Sequence, residues 1–314
     1  MGSDSNETDA AKTDAADKAQ AVGSDEIKGD SADDSDGETD SNDDDRSDND
    51  LKVHVVAAAG AGRPVVLIHG WPLSSGSWLE QISVLKDEEY RVVTYDRRGF
   101  GKSDPGDGYD YDSLADDLDN VLSDLDLTEV TLVGFSMGGG EVARYIARHG
   151  EDRLHSVVFA SAVPPYLLQS EDNPDGPLTE EAAKEMRDAL EEDRDAFFDD
   201  FTTQFFSVDD DLNVSEEQRE DALAMCKQSD QEAALGCMDA WAKTDFRKDL
   251  EKISVPTLVI HGDSDATVPF EGSGKRTHEA IEGSELVILE GAPHGCNLSH
   301  AEKFNSALIG FLSS

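Results

Sequence analysis

A serine between glycines, a later aspartate and a histidine near the C-terminus occur in this chain in an order that can activate an oxygen nucleophile. The serine is Ser136, in Gly134-Phe135-Ser136-Met137-Gly138, between an apolar β-type run at 130–135 and a helical stretch at 137–149. A G-x-S-x-G string is weak evidence alone, and a plain strand-to-helix turn with a capping serine is the bland alternative. The setting favours the nucleophile. Flanking glycines permit a sharp turn without Cβ clashes, lifting the Ser136 hydroxyl above the sheet edge. The turn also puts it at the positive end of a helix, where charge developing on an oxygen is favoured. A serine is inert until a base takes its proton, and the base needs an orienting carboxylate.

Both partners are expected on loops after later strands, in the chain order serine, acid, histidine. The run at 257–261 ends in Gly262-Asp263-Ser264-Asp265, and the run at 286–289 is followed by Gly291-Ala292-Pro293-His294-Gly295. His294 is therefore the candidate base. Asp263 and Asp265 compete for the acid role; Asp265 is preferred, partly on the resemblance given below, with Asp263 left to stabilise the turn. An oxyanion formed at the site needs two backbone N–H groups. Met137, next after the nucleophile, supplies one; Trp71 in His69-Gly70-Trp71-Pro72-Leu73 supplies the other. Pro72 has no N–H to donate and is expected to fix the loop's backbone at the substrate pocket, presenting the Trp71 carbonyl to the site. His69 is expected to brace this loop, and Arg97 and Arg98 to pair with nearby carboxylates rather than clamp an anion. Cys296, two residues beyond His294, is expected to line the pocket rather than act as nucleophile.

These residues need a rigid frame. Short apolar runs at 52–57, 65–69, 92–96, 130–135, 157–160, 257–261 and 286–289 read as strands buried on both faces of a mostly parallel sheet. Helical stretches at 78–85, 111–125, 137–149, 275–281 and 300–312 alternate with them, giving an α/β fold with crossover helices. The rhythm breaks between Pro164 and Leu250, where two long helical stretches (179–206 and 215–241) and no strand are expected. Phe197, Phe198, Phe201, Phe205, Phe206, Met238 and Trp241 make this segment too apolar for a solvated linker. A core at 51–163 and 242–314 with a helical cap at 164–241 is the expected organisation, Trp241 contributing to the substrate pocket.

The 314 residues include 26 Lys and Arg against 70 Asp and Glu, a formal charge of −44. Residues 1–50 hold 18 acidic and 4 basic side chains and cannot bury enough apolar surface to offset their ordering entropy, so a disordered acidic tail is expected. The remainder still carries −30. A carboxylate surface of that density stays hydrated where concentrated salt screens its self-repulsion, which points to a halophile. The same field excludes nucleic acid as a partner. No basic and apolar leader opens the chain, and no apolar run approaches the ~18 residues of a membrane span. Cys226, Cys237 and Cys296 lack metal-ligand spacing and read as free thiols in a reducing cytoplasm. A homo-oligomer is compatible with the sequence but not demanded by it.

Six linked motifs strongly resemble the cofactor-free haloperoxidases of the α/β-hydrolase superfamily, also called non-haem chloroperoxidases or perhydrolases. They are His69-Gly70-Trp71-Pro72-Leu73, Tyr95-Asp96-Arg97-Arg98-Gly99-Phe100-Gly101, Gly134 through Glu141, Val142-Ala143-Arg144-Tyr145, His261 through Asp265, and Gly291 through Gly295. The resemblance runs from Leu51 to Leu312 and favours Asp265 as the acid. It implies a serine esterase, without metal or organic cofactor, acting on a small ester or on a short carboxylic acid with hydrogen peroxide. Peroxide in place of water releases the acyl group as a peracid, which oxidises halide in solution; a proline at the position of Pro72 goes with this activity. Lactonase and carbon–carbon bond hydrolase chemistry use the same triad and stay open. Haloalkane dehalogenases and epoxide hydrolases need a carboxylate where Ser136 stands. A ligand-binding receptor with little turnover would be signalled by a broken triad or oxyanion loop, and neither is broken here.

Overall fold

The computed structural model describes residues 53–58 and 60–314. The expected acidic tail at 1–50 lies outside the described residues, as do Leu51 and Lys52. In chain order the strands are β1 (Val55–Ala58), β2 (Pro64–Ile68), β3 (Arg91–Tyr95), β4 (Val130–Phe135), β5 (Leu154–Ala160), β6 (Ser207–Val208), β7 (Asp211–Leu212), β8 (Thr257–Gly262) and β9 (Glu285–Leu289). Seven form one sheet in the order β1-β3-β2-β4-β5-β8-β9, with β1 antiparallel to β3 and the other neighbours parallel. Every residue of β4 and β8 is buried, which explains why they read as unbroken apolar runs. At the edge, β9 alternates less cleanly and leaves Ile288 exposed.

The helices are α1 (Leu79–Asp87), α2 (Tyr111–Asp124), α3 (Met137–His149), α4 (Glu180–Glu192), α5 (Arg194–Phe206), α6 (Glu216–Gln228), α7 (Gln231–Lys243), α8 (Arg247–Leu250), α9 (Gly274–Ala280), α10 (Cys296–Ser299) and α11 (Ala301–Leu312). Asp110 caps α2 by accepting from the N–H groups of Asp112 and Ser113, and the stripe Leu114, Leu118, Val121 and Leu122 buries that helix against α3 and the core. α1 and α11 pack on one another and on the sheet. The result is an α/β fold, a mostly parallel sheet flanked by helices.

The insertion between β5 and β8 differs in detail from expectation. The stretch at 179–206 is broken at Asp193, which both ends α4 and caps α5. A second break at Ser229 and Asp230 divides α6 from α7, and α7 runs on to Lys243, past the expected limit at Trp241. The β6–β7 hairpin also lies where no strand was expected. Strands of two residues and helices of four, such as α8 and α10, are too short to leave a periodicity in the sequence.

Candidate active site

Ser136 stands between β4 and α3 with φ 54° and ψ −117°, a left-handed conformation that a non-glycine residue adopts only when its surroundings hold it there. They do so by close packing. A Cβ on Gly134 would lie 2.5 Å from the carbonyl oxygen of Gly138, and one on Gly138 would lie 2.6 Å from that of Ile68. The serine is anchored on both sides: its N–H donates to Ala160 O (2.9 Å), and its carbonyl accepts from Val163 N (3.2 Å). Its hydroxyl is thereby pushed off the end of the sheet at the start of α3.

His294 and Asp265 reach Ser136 in one hydrogen-bonded row. His294 Nε2 is 2.9 Å from Ser136 Oγ, and His294 Nδ1 is 2.7 Å from Asp265 Oδ2. All three side chains are buried. The His294 ring is wedged against Phe135 and Phe205, and Gly295 N–H donates to Phe205 O (2.9 Å) to tie the loop to α5. Asp265 Oδ1 accepts from the backbone N–H of Thr267 (3.0 Å) and Val268 (2.7 Å). Burial pushes the Asp265 carboxyl up, but the neighbouring charge of His294 and the N–H donors of His261 and His294 outweigh it and hold the pKa at about 2. Asp263 is exposed and turned elsewhere, accepting from Gly291 N (2.7 Å). Of the two competing carboxylates, Asp265 is the one brought to His294.

The loop after β2 sits directly on the serine, since a Cβ on Gly70 would lie 3.1 Å from Ser136 Cβ. Among the described residues the Trp71 N–H has no hydrogen-bond partner. Met137 opens α3, where the N–H has no partner within the helix. His69 braces this loop: Nδ1 donates to Gly70 O (2.8 Å) and Nε2 accepts from Arg97 N (2.9 Å). Burial and the adjacent Arg97 drive its pKa down to about 3. Arg97 is buried, pairing with Glu141 (2.9 Å) and donating to His69 O (2.8 Å), while Arg98 pairs with Asp117 (2.6 Å). Both arginines are thus occupied in holding loops.

A cavity of about 180 Å³ opens on Ser136 and His294. Trp71 and Trp241 line it, as do Met186, Phe201 and Gln204 from the inserted helices and the segment from Ala266 to Pro269 after the acid. Pro72, expected in the pocket, is not in this lining; it is buried behind Trp71, to which it is joined by a cis peptide bond. The Trp71 ring takes the surface instead, donating from Nε1 to Ala234 O (2.9 Å) and packing edge-on to Phe201. Cys296, also expected to line the pocket, is buried outside it with its thiol 3.4 Å from Ser161 Oγ, and burial pushes its pKa up to about 12. The turn after His294 carries Cys296 back into the core. Sequence reading missed Met186, Gln204 and the loop at 266–269 as pocket residues, and His261 as a neighbour of Asp265.

Among the described residues the three cysteines are free and buried, and no helix is long and apolar enough to cross a membrane.

The chain is similar to known proteins. A non-heme chloroperoxidase, CPO-A1 of Kitasatospora aureofaciens, is 44% identical over 258 residues, covering 81% of this chain and 94% of that protein. A bifunctional esterase/perhydrolase of Acinetobacter calcoaceticus is 39% identical, over 80% of this chain and 92% of its own length. The crystal structure of a bromoperoxidase from Bacillus anthracis superimposes with a TM-score of 0.82 at 52% identity, covering 85% of this chain and 98% of that one. Residues 63–301 match the alpha/beta hydrolase fold family, and the chain belongs to it.

Proposed function

We propose that the protein is a serine hydrolase of small carboxylic esters that works through an acyl-enzyme and also forms peracids from a short carboxylic acid and hydrogen peroxide. The observation that carries this reading is the row Asp265–His294–Ser136 opening on a cavity whose lining contains no Asp, Glu, Lys or Arg. Such a cavity suits a neutral acyl group. The named activities of the chloroperoxidase and esterase/perhydrolase relatives support both halves of the proposal.

In this mechanism Ser136 Oγ attacks the ester carbonyl while His294 Nε2 takes its proton, and Asp265 stabilises the imidazolium that forms. The N–H groups of Trp71 and Met137 receive the oxyanion. His294 returns the proton to the leaving alcohol, and Ser136 holds the acyl group. Water then yields the acid; hydrogen peroxide, attacking the same carbonyl and giving its proton to His294, yields the peracid and free serine. Residues 164–241 act as a cap, through Met186, Phe201, Gln204 and Trp241, that sets the size of the acyl pocket. The test is aryl acetate hydrolysis together with peracid formation from acetate and hydrogen peroxide. Both are expected; hydrolysis without peracid would make the protein a plain esterase or lactonase.

The charge of −44 supports a halophilic source, and three buried free thiols support a reducing cytoplasm. Refolding yield and activity are accordingly expected to rise with molar potassium chloride, which screens carboxylate repulsion. Full activity and unchanged thermal stability at low salt would remove the halophilic reading.

A further inference from the structure

Asp265 has a second imidazole beside it. His261, near the end of β8, is wholly buried, with Nε2 3.2 Å from Asp265 Oδ2 and 2.8 Å from Val268 O. Both neighbours of Nε2 are acceptors. Nδ1 has no hydrogen-bond partner among the described residues, so a proton there would be a buried, unpaired donor. The proton therefore belongs on Nε2. The ring has no room to turn: a Cβ on Gly274 would lie 2.4 Å from Nδ1, and the Phe270 ring packs 5.7 Å away. His261 does not line the cavity.

We infer that His261 is a positioning residue, whose single Nε2–H is shared between Val268 O and Asp265 Oδ2 and so keeps this carboxylate aimed at His294 Nδ1. The inference rests on the triad reading above. Asp265 Oδ2 then divides its charge between two N–H donors, while Oδ1 is held by the backbone of Thr267 and Val268. The titratable groups facing Asp265 are His294, His261 and the Cys296 thiol. Towards His261, α9 presents Gly274 and the turn before it presents Phe270, neither titratable. Without the His261 donor more of the carboxylate charge faces His294, so the Asp265–His294 couple binds a proton more tightly and the base is lost at higher pH.

The experiment compares His261→Phe, which keeps a flat ring but removes the donor, with His261→Gln, which keeps an N–H at similar reach. For aryl acetate hydrolysis, His261→Phe is expected to lower kcat about ten- to hundredfold with KM within about twofold. The acid limb of kcat/KM should move up by about half a unit or more. His261→Gln should restore most of kcat and return the limb. A His261→Phe enzyme with the parent kcat and limb overturns the inference, as do two variants equally impaired with an unmoved limb. Asp265→Asn assayed alongside separates the two levels: if it stays active the triad reading fails, and if it collapses while His261→Phe is unaffected this inference alone fails. Ring-nitrogen NMR of the unmutated protein needs no variant to fold. It should show His261 protonated at Nε2 and bare at Nδ1; the opposite tautomer overturns the inference.

Discussion

Ser136→Ala is expected to lower ester hydrolysis by about 10⁶-fold, and peracid formation with it, because both pass through an acyl group on one oxygen. Among the described residues no other hydroxyl or thiol hydrogen-bonds to His294. His294 Nε2 is 2.9 Å from Ser136 Oγ, whereas the nearby Cys296 thiol is buried away from the cavity and held protonated by that burial. The substitution should leave the fold intact. Alanine keeps the same Cβ at φ 54°, and the backbone anchors to Ala160 and Val163 do not involve the hydroxyl. Circular dichroism and thermal unfolding matching the parent, with residual turnover near the background from the oxyanion donors and binding alone, would complete the result. A variant retaining most of its aryl acetate hydrolysis would place the nucleophile elsewhere and remove the triad reading.

What was legible in the sequence was local. The strands that carry the site are continuous apolar runs, and each candidate residue follows its run by a few positions, so β4 leads to Ser136, β8 to Asp265 and β9 to His294. That nearness makes the three residues converge at one end of a parallel sheet, where strand ends lie side by side. Residues whose position depends on how chain segments cross were not legible. Pro72 sits next to a residue that faces the site and Cys296 two residues from one, yet the turns of their own loops face them inward. His261 ends an apolar run and reads as one more buried strand residue; its relation to Asp265 exists only because the loop at 266–269 folds back over it. The cavity roof draws Met186, Phe201, Gln204 and Trp241 from three separate helices, and no sequence period records that they meet.

Asp265→Asn is expected to lower kcat by about 10⁴-fold, while Asp263→Asn leaves it close to the parent value. The geometry gives the reason atom by atom. Oδ1 of Asp265 accepts two backbone N–H groups, from Thr267 and Val268. An asparagine there places its carbonyl oxygen at that position, since the two backbone N–H groups can only donate, whereas the imidazoles facing Oδ2 can move their proton to the other ring nitrogen. Its NH₂ then occupies the position of Oδ2, pointing at His294 Nδ1, 2.7 Å from the parent atom. To meet a donor, Nδ1 must accept, and the proton of the imidazole moves to Nε2. Nε2 is the atom facing Ser136, and with a proton it can no longer take one. The fold survives and the base is lost. At position 263 one oxygen, Oδ1, accepts from Gly291 N and Ser264 Oγ, which an asparagine oxygen does equally well. Kinetics of the two variants on an aryl acetate decide between the carboxylates, and a damaged Asp263→Asn beside an active Asp265→Asn would assign the acid to Asp263 and require the loop after β8 to rearrange before the chemistry.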